Sequence, residues 1–300
     1  MKDRGVVLIN ALVIVLAISA IAAALLARSH SARLRAAHSQ SGQQIGLYLD
    51  GIEALMPQLL QPIENGTAVH PGQGWAAPNL TYPIDRGAVD ARLSDLQGRL
   101  NVNWLMREDE FADMAFARVF AELRLPQSLL AEIRAFVSSG GPGSVDGYLA
   151  RPVPVLPRDG PLANLEELRA VSGMTTEHFA TLLPVLSALP RDTRLNLNTA
   201  AKPVLAAVME PFPPELRTEV LNRDTPINNI SELRQRAIEI LETEDVDHLP
   251  FDRLTVSSRF FAADLAARLD DDLRQRRVIF AIDPTANPAT RVTYRWAKYD

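Results

Sequence analysis

A run of 22 residues without a charge, from Val6 to Ala27, lies near the amino terminus of this 300-residue chain. At about 1.5 Å per residue, a helix of this length covers roughly 33 Å, which is enough to cross the hydrocarbon core of a bilayer. The run is apolar on every side, whereas a surface helix has a polar face. The alternative, the apolar segment of a cleaved secretory signal, is shorter, at about 7–15 residues. We therefore predict a single transmembrane helix over residues 6–27.

The charges that flank this run do not decide its orientation. Lys2 and Arg4 precede it, and Arg28, Arg33 and Arg35 follow it. Positive residues favour the cytoplasmic side, but a long globular domain is translocated largely regardless of them. We therefore predict a cytoplasmic amino terminus and a globular domain on the opposite side of the membrane.

Composition excludes several classes of protein. The chain is 47% hydrophobic and 22% charged, which is typical of a globular protein with a core. Its 36 acidic residues outnumber its 31 Lys and Arg residues, which disfavours a general nucleic-acid binder because phosphate contacts need clustered positive charge. The absence of Cys excludes disulfides, thiolate zinc sites and a cysteine nucleophile.

Helical periodicity continues beyond the apolar run, over residues 28–61, and indicates one long helix that leaves the membrane. Pro57 and Pro62 predict a kink or a stop within residues 57–62. The Gly and Pro residues of segment 65–83 then predict a loop.

Strand patterns occur in two separate parts of the chain. Alternating apolar residues predict a hairpin over residues 88–102, and three further strands are predicted at 255–268, 274–283 and 291–296. The run of acidic residues at 270–272, followed by arginines, is predicted to be a solvated hairpin tip rather than a metal site.

Between these strands, residues 106–250 have an almost entirely helical pattern. Asn164 and Asn229 each precede a Glu three residues later, which predicts two capped helix starts. A third start is predicted after Leu195–Ala200. The sequence thus indicates a helical domain inserted into an α+β domain.

Four short segments resemble those of one known family. Arg4-Gly5, before an uncharged apolar helix, resembles the class III leader that prepilin peptidase cuts after glycine, which would leave a mature chain starting at Val6. The other segments are Leu96–Asn103 (LQGRLNVN), Asn164–Gly173 and Leu195–Ala200 (LNLNTA). With their order along the chain, these segments look like those of the minor pseudopilin K family of type II secretion systems, also called the general secretion pathway protein K family.

The resemblance implies an α+β, pilin-like fold, in which a long amino-terminal transmembrane helix packs on an antiparallel sheet that is interrupted by a large all-helical inserted domain. It divides the chain into a prepilin leader, a transmembrane helix, a pilin-like helix with the first strands, the inserted helical domain and the remaining strands. The corresponding residues are 1–5, 6–27, 28–105, 106–250 and 251–300.

In this family the subunit spans the inner membrane once and has its globular domain in the periplasm. It sits at the tip of a short pseudopilus and primes pseudopilus assembly for protein export across the outer membrane. The implied partners are the minor pseudopilins I, J and H, the major pseudopilin G, prepilin peptidase and the inner membrane, with no nucleic acid. The resemblance implies cleavage between Gly5 and Val6, followed by methylation of the new amine.

Asn10 departs from most pilin-like subunits, which carry Glu at mature position five to neutralise the terminal amine of the neighbour above. An unpaired carboxylate in the bilayer costs at least about 2.5 kcal/mol on insertion scales. A tip subunit has no neighbour above, so we hypothesise that it is better without the carboxylate. The bulk of residues 106–250 would likewise hinder stacking inside a filament but not at its end.

Members of this family are associated with calcium in the helical domain. The corresponding segment here, residues 136–148, has one carboxylate, Asp146. Calcium takes about six to eight oxygen ligands, so a retained site would also need Asp159, backbone carbonyls or distant acids. We therefore predict no cofactor, with calcium at Asp146 as the one candidate and a flexible Gly, Ser and Pro loop as its alternative.

The alternative function is that of a membrane-anchored helix-hairpin-helix DNA-binding protein, because segments 164–186 and 195–223 resemble such hairpins. These hairpins hold phosphate through the backbone N–H groups of a Gly-apolar-Gly turn. One turn here is Gly173-Met174-Thr175, and the other, residues 210–214, contains a Glu and three prolines, which lack that N–H. We therefore expect these hairpins to make protein contacts or to pack the domain.

Enzymatic activity finds little support in the sequence. The five histidines fall in no metal-binding or catalytic-triad spacing, and no nucleotide-binding or serine-hydrolase motif occurs. We predict that the protein is not an enzyme and has no catalytic residues.

Overall fold

The computed structural model of the chain describes residues 3–63, 67–158, 160–243 and 245–298, without the side chains of residues 3–11, Leu34, Ala37, His38 and Lys298. The α-helices are α1 (Asp3–Leu60), α2 (Glu110–Glu122), α3 (Gln127–Val137), α4 (Asp146–Leu149), α5 (Thr176–Leu182), α6 (Lys202–Val208), α7 (Pro214–Leu221) and α8 (Ile230–Leu241). Short 3-10 helices lie at Gln61–Ile63, Gly74–Ala76, Val102–Met106, Leu165–Ala170 and Phe251–Arg253. The strands are β1 (Leu80–Ile84), β2 (Gly87–Asp95), β3 (Leu100–Asn101), β4 (Leu186–Ser187), β5 (Leu195–Asn196), β6 (Leu254–Thr255), β7 (Phe260–Leu269), β8 (Asp272–Ile282) and β9 (Thr290–Lys298).

Helix α1 continues without a break from the apolar run into the globular part. Its 58 residues correspond to a length of about 87 Å at 1.5 Å per residue. The helix contains Pro57 and ends at Leu60, before a 3-10 turn that contains Pro62. The predicted stop within residues 57–62 is therefore confirmed.

The carboxyl-terminal third of α1 packs on a five-stranded antiparallel sheet with the order β1-β2-β7-β8-β9. Its core-facing residues recur every three or four positions, as the helical repeat requires. They are Ile45, Leu49, Ile52, Met56 and Leu60. They meet alternate residues of the strands, among them Val89, Ala91, Leu93, Phe261, Leu265 and Phe280. This is the helix-on-sheet arrangement of a pilin-like fold.

The hairpin predicted over residues 88–102 is wrong. Strand β2 ends at Asp95, its antiparallel neighbours are β1 and β7, and β3 pairs in parallel with β4 instead. The apolar alternation resumes at Leu100 and Val102 because these residues enter a second core, among the helices. Strand β1 lies in the segment predicted as a loop. It is an edge strand with an exposed centre, so it lacks the alternation that marks a buried strand, and an edge tolerates its Pro83.

The three carboxyl-terminal strands are confirmed as β7, β8 and β9, with shifts of a few residues at their ends. The acidic run at 270–272 is confirmed as an exposed hairpin tip between β7 and β8. Asp270 adopts a positive φ of 51° there and pairs with Arg86.

The segment between β3 and β6 forms the second core, in which α2 packs against α3 and α6. Its regular elements are helices apart from β4 and β5, two-residue strands that pair with β3 and β6, and non-helical connections such as residues 138–145 and 222–229 join them. The predicted cap at Asn229 is confirmed, since its side chain accepts from the Ser231 N–H at the start of α8. At Asn164 only half of the predicted capping box forms, on a 3-10 rather than an α-helix: the Glu167 side chain accepts from the Asn164 N–H, but Asn164 Oδ1 has no partner among the described residues. The described chain is thus a pilin-like helix and sheet with a helical insertion.

Candidate assembly site

The amino-terminal part of α1 has no partner within the described chain. Residues Leu12–Arg33 have a mean hydropathy of 2.3 and none of them is buried. Leu16 and Leu26 are 70% and 72% exposed. A continuous apolar surface of this size is unfavourable in water and marks contact with lipid or with other helices. This helix fits a single-pass membrane anchor that is followed by a globular domain.

The predicted processing and assembly residues Gly5, Val6 and Asn10 lie on the first turns of α1, where only the backbone is described. Their proposed roles therefore remain predictions. Further along, Ser19, Ala20 and Ala22–Ala24 are all exposed. Small residues allow close approach between helices in a membrane, so this stretch can accept a neighbouring helix.

A second uncovered strip continues along the part of α1 that packs on the sheet. Leu47 is 70% exposed and Leu55 is 40% exposed. Gly51 lies between them at a spacing of four residues, so the three positions align on one side of the helix. A Cβ at Gly51 would meet no other atom within 4 Å. We call Leu47, Gly51, Ala54 and Leu55 the α1 strip. The sequence pattern predicted a helix over these residues, but it did not distinguish this exposed side of the helix from the side that packs on the sheet.

An ion-pair cluster fixes the rotation of α1 on the sheet. The Glu53 side chain, 7% exposed, accepts from Arg276 Nη1 of β8 at 2.8 Å and pairs with Arg295 of β9. Arg276 also contacts the exposed Asp50 at 2.6 Å. Burial lowers the pKa of Arg276, but its bonds to the two carboxylates outweigh this and raise the pKa above its ordinary value. Because Glu53 is held on the sheet side, the α1 strip faces away from it.

The junction between the two cores is a buried polar network around Asp95, the last residue of β2. Its Oδ2 accepts from the Ser258 and Thr199 hydroxyls, each at 2.6 Å, and from Asn196 Nδ2 at 3.0 Å. Its Oδ1 accepts from the Gln97 N–H at 2.8 Å. Burial raises the pKa of Asp95 and these hydrogen bonds oppose that rise. The network joins the end of strand β2 to residues 196–199, which lead into helix α6.

The LQGRLNVN segment continues this junction. Gln97 bonds the Arg194 carbonyl and the Arg259 N–H through its side chain, at 2.9 and 2.6 Å. A Cβ at Gly98 would lie 2.5 Å from the Thr199 carbonyl oxygen, so only glycine allows the two segments to pass. Two buried asparagines of the segment form hydrogen bonds with the backbone of the inserted helical domain. Asn101 accepts from the Leu189 N–H and donates to the Pro190 carbonyl. Asn103 accepts from the Leu162 N–H and donates to the carbonyls of Leu162 and Leu189.

The LNLNTA segment supplies the other half of the junction. Asn196 is fully buried, and its amide also lies within hydrogen-bond distance of the Val69 carbonyl and of Ser258 Oγ. Asn198 bonds both the N–H and the carbonyl of Ile227. Two of the four segments on which the family resemblance rests therefore hold the two cores together. Sequence reasoning did not assign them this role, although asparagines inside apolar runs are the signal for it.

The calcium candidate Asp146 is exposed and begins the four-residue helix α4. In the described part of the chain, its Oδ2 accepts a single contact, from Ser144 Oγ at 3.4 Å. Within the described residues, no group of three or more His, Asp or Glu side chains could hold a metal ion. Asp159 lies outside the described residues. One carboxylate does not match the donor set that calcium prefers, so the described residues do not fit this ion.

The two hairpin turns do not form phosphate-binding sites. In the first, Gly173 has a φ of 76° and the Thr175 hydroxyl accepts from the His178 N–H, so the turn caps α5. In the second, Glu210 pairs with Arg118 at 2.6 Å and with Arg217 at 2.7 Å. The prolines of this turn lack the backbone N–H groups that would bind a phosphate, and the Glu210 carboxylate would repel one. The DNA-binding alternative is therefore not supported.

Comparison with known proteins points to one family. The model of the family "Type II secretion system (T2SS), protein K" matches residues 98–191. The type II secretion system protein K of Pectobacterium carotovorum subsp. carotovorum is 29% identical over 231 residues, which cover 69% of this chain and 70% of that protein. The protein K of Klebsiella pneumoniae is 28% identical over 235 residues and 72% of each chain.

A solved structure has the same fold over nearly the whole chain. It is the crystal structure of the GspK-GspI-GspJ complex from the type 2 secretion system of enterotoxigenic Escherichia coli. The match has a TM-score of 0.72 at 22% identity and covers 89% of this chain and 100% of the solved chain. The resemblance that the sequence motifs indicated is confirmed: this chain is similar to type II secretion system protein K, whose family model matches residues 98–191.

Proposed function

We propose that this chain is a minor pseudopilin that caps the tip of a type II secretion pseudopilus and primes its assembly for protein export. The observation that carries the proposal is α1, whose apolar first half is uncovered while its last third is fixed on a pilin-like sheet. A helix that spans the bilayer and emerges as one rigid rod couples events in the membrane to a periplasmic domain. The likeness to protein K supports this role.

The partners follow from the same likeness. The related crystal structure is of a complex between GspK, GspI and GspJ, so we infer that this chain packs with minor pseudopilins I and J. Pseudopilins H and G and prepilin peptidase are further proposed partners. We place the chain in the inner membrane, with its globular domain in the periplasm and without enzymatic activity.

Assembly would use the two uncovered parts of α1. The small residues around Ala23 would contact partner helices inside the bilayer, and the α1 strip would extend this contact outside it. The helical domain makes the chain too bulky to stack in the body of a filament, which favours the tip.

The first experiment tests processing. Intact-mass and amino-terminal peptide analysis of membrane-extracted protein should show a chain that starts at a methylated Val6 when prepilin peptidase is active and at Met1 when it is not. A Gly5→Val variant should remain uncleaved in both backgrounds. A start near Arg28 would identify an ordinary secreted domain, and an intact Met1 regardless of the peptidase would identify a plain membrane anchor; either result contradicts the proposal.

The second experiment tests the helix contact. Ala23→Phe should reduce co-purification of the minor pseudopilins because the ring prevents close approach of the helices. Leu25→Phe, which is about 200° around the helix from Ala23, is the matched control and should have little effect. Equal recovery of partners with both variants would show that this face is not the contact.

A third experiment tests position. Asn10→Glu restores the carboxylate of ordinary pilin-like subunits and should allow the chain to occupy positions below the tip. If the variant assembles and secretes normally and takes no other position, the explanation given for Asn10 is wrong.

A further inference from the structure

A small cavity lies between the sheet and the inserted helical domain, on the side of the sheet that faces away from α1. Its walls come from the sheet and from the helical part in nearly equal measure. They include Leu96, Leu183, Ser187, Ala262, Ile279 and Trp296. Two arginines, Arg99 and Arg277, also line it. The role proposed above for the chain makes no use of this cavity.

Positive charge in the cavity exceeds negative charge. Arg277 is 11% exposed, and its Nη2 contacts the Asp264 carboxylate at 3.0 Å. Arg99 donates to the Leu183 carbonyl at 2.8 Å and contacts Ser94 Oγ at 3.4 Å, and it pairs with no carboxylate in the described part of the chain. Two guanidinium groups therefore share one carboxylate, which is an unfavourable arrangement for buried charges.

The other charged groups nearby form no ion pair with either arginine in the described part of the chain. Asp95 accepts from four uncharged donors of the junction network, and it acts on Arg99 through its charge alone, without a hydrogen bond to it. Glu166, at the rim, is paired with Arg169 at 2.6 Å. Arg92 adds a further positive charge that acts on Arg99. Burial, followed by the charge of Arg277, lowers the pKa of Arg99 to about 10, and the charges of Asp264 and Asp95 oppose this shift only in part.

Polar atoms in and beside the cavity are also left without partners among the described residues. Ser187 is 1% exposed, and its Oγ has no hydrogen-bond partner among the described residues. The same is true of Arg277 Nε and of Asp264 Oδ1. A rotation of the Asp264 side chain could bring its Oδ1 into contact with Arg277 Nε. The Ser187 hydroxyl would still be unpaired, and two guanidinium groups would still face one carboxylate. A buried hydroxyl without a partner calls for an explanation, such as a ligand.

The size of the cavity limits what it can hold. Its volume is about 30 Å³, whereas one water needs about 10–15 Å³. It therefore holds two or three water-sized groups, which is the size of a carboxylate and less than that of a phosphate. The rim is formed by half-buried residues, among them Leu165 and Trp296, and would accept the methylene groups of a side chain.

We propose that this cavity is a carboxylate-binding site whose occupant is an Asp or Glu side chain of another protein. The carboxylate would accept from the Arg99 and Arg277 guanidinium groups and from the Ser187 hydroxyl. The apolar rim would cover the stem of the side chain. The inference does not depend on the assembly role, because the cavity belongs to the globular part alone.

The test is a titration of the full chain in a non-ionic detergent, followed by tryptophan emission. The probes are N-acetyl-glutamate N-methylamide and its glutamine analogue, which differ in the charge of one group. The glutamyl probe should give a saturable change and bind at least about tenfold more tightly, as expected for charge-assisted hydrogen bonds worth about 1.5–3 kcal/mol. Trp296→Phe should remove the signal, since Trp296 lines the cavity.

Three variants assign the site. Arg99→Gln should weaken binding of the glutamyl probe by about tenfold or more and Ser187→Ala by about threefold to tenfold, which are the losses expected of a charged and of a neutral hydrogen bond. Arg118→Gln, which removes an exposed arginine elsewhere, is the control. Thermal unfolding checks that each variant is folded. If Arg99→Gln does not fold, the test is decided by the binding measured for Ser187→Ala, which removes only one hydroxyl.

Three outcomes would overturn the proposal. Equal responses to the glutamyl and glutaminyl probes would show that charge is not recognised. Undiminished binding in both Arg99→Gln and Ser187→Ala would place the binding elsewhere. If sodium acetate, at matched ionic strength, binds as tightly as the glutamyl probe, the site takes free carboxylates and the assignment to a protein side chain is wrong.

Discussion

Buried amide side chains carry much of the structure at the scale of single residues. Asn101, Asn103 and Asn196 are each at most 2% exposed, and each forms three or more hydrogen bonds. Such groups are costly to bury unless they are satisfied, and satisfied networks specify one arrangement of the parts that they join. The two cores are therefore positioned by specific polar contacts as well as by apolar packing.

Asn196→Ala should destabilise the globular part strongly. The change leaves Asp95 without one of its donors and the Val69 carbonyl without the amide. Leaving a buried polar group unsatisfied costs about 1–3 kcal/mol, and more where the group is charged. Denaturant unfolding followed by tryptophan emission measures the loss. Gln235→Ala, on the exposed side of α8, should change the free energy of unfolding by less than about 0.5 kcal/mol; equal effects of the two changes would contradict the role of the network.

Asp95 should give the stability an unusual dependence on pH. Burial raises its pKa in the folded state above the ordinary value of 3.8. The stability that this group contributes is therefore full below pH 3.8 and is lost as the pH rises through the raised pKa. The difference in unfolding free energy between the wild type and Asp95→Asn should be larger at pH 4 than at pH 8. Asp90→Asn, on the exposed side of β2, controls for removing one charge; a difference that is constant with pH would show that Asp95 is not shifted.

At the scale of elements, α1 has two kinds of surface. One side of its last third is packed by Ile45, Leu49 and Met56 against the sheet, and the other side leaves Leu47 and Leu55 exposed. The ion pairs of Glu53 add to this apolar packing and hold the same side of the helix on the sheet.

Glu53→Ala should loosen this attachment. The change leaves Arg276, 17% exposed, with only Asp50, and removes the carboxylate partner of Arg295. Removing one partner of a buried ion pair costs about 3–5 kcal/mol, and we expect the lower end because Asp50 remains. Asp50→Ala removes an exposed partner of the same arginine and should cost less than about 1 kcal/mol. Hydrogen exchange along residues 45–60 would report the loosening; equal exchange in the two variants would contradict it.

The sequence predicted the elements whose burial is simple. Helix α1 and strands β7 to β9 have long, regular apolar patterns, and the asparagine caps have a local cause. Strand β1 was missed because an edge strand with an exposed centre carries no alternation, and β3 was given the wrong partner because a two-residue strand does not specify its pairing. The cavity beside Arg99 and Arg277 could not be predicted, since its residues come from parts of the chain nearly 200 positions apart.

At the scale of the whole molecule, two cores share one junction. Residues 95–103 leave the sheet, residues 195–199 return towards it, and Ser258 completes the network just before β7. The inserted part therefore begins and ends at the same place. This explains why a large helical insertion leaves the antiparallel pairing of β2 with β7 intact.

Calcium should not stabilise this protein, because the described residues around Asp146 supply a single carboxylate. Calcium at a hundred times the Kd of a site would add about 2.7 kcal/mol, which corresponds to a rise in the unfolding midpoint of roughly 4–5 °C in a protein of this size. Thermal unfolding in 1 mM calcium, 1 mM magnesium and EDTA should instead give the same midpoint. A rise with calcium alone that is abolished in Asp146→Asn would show that distant acids or backbone carbonyls complete a site. A rise that persists in this variant would place calcium elsewhere in the chain.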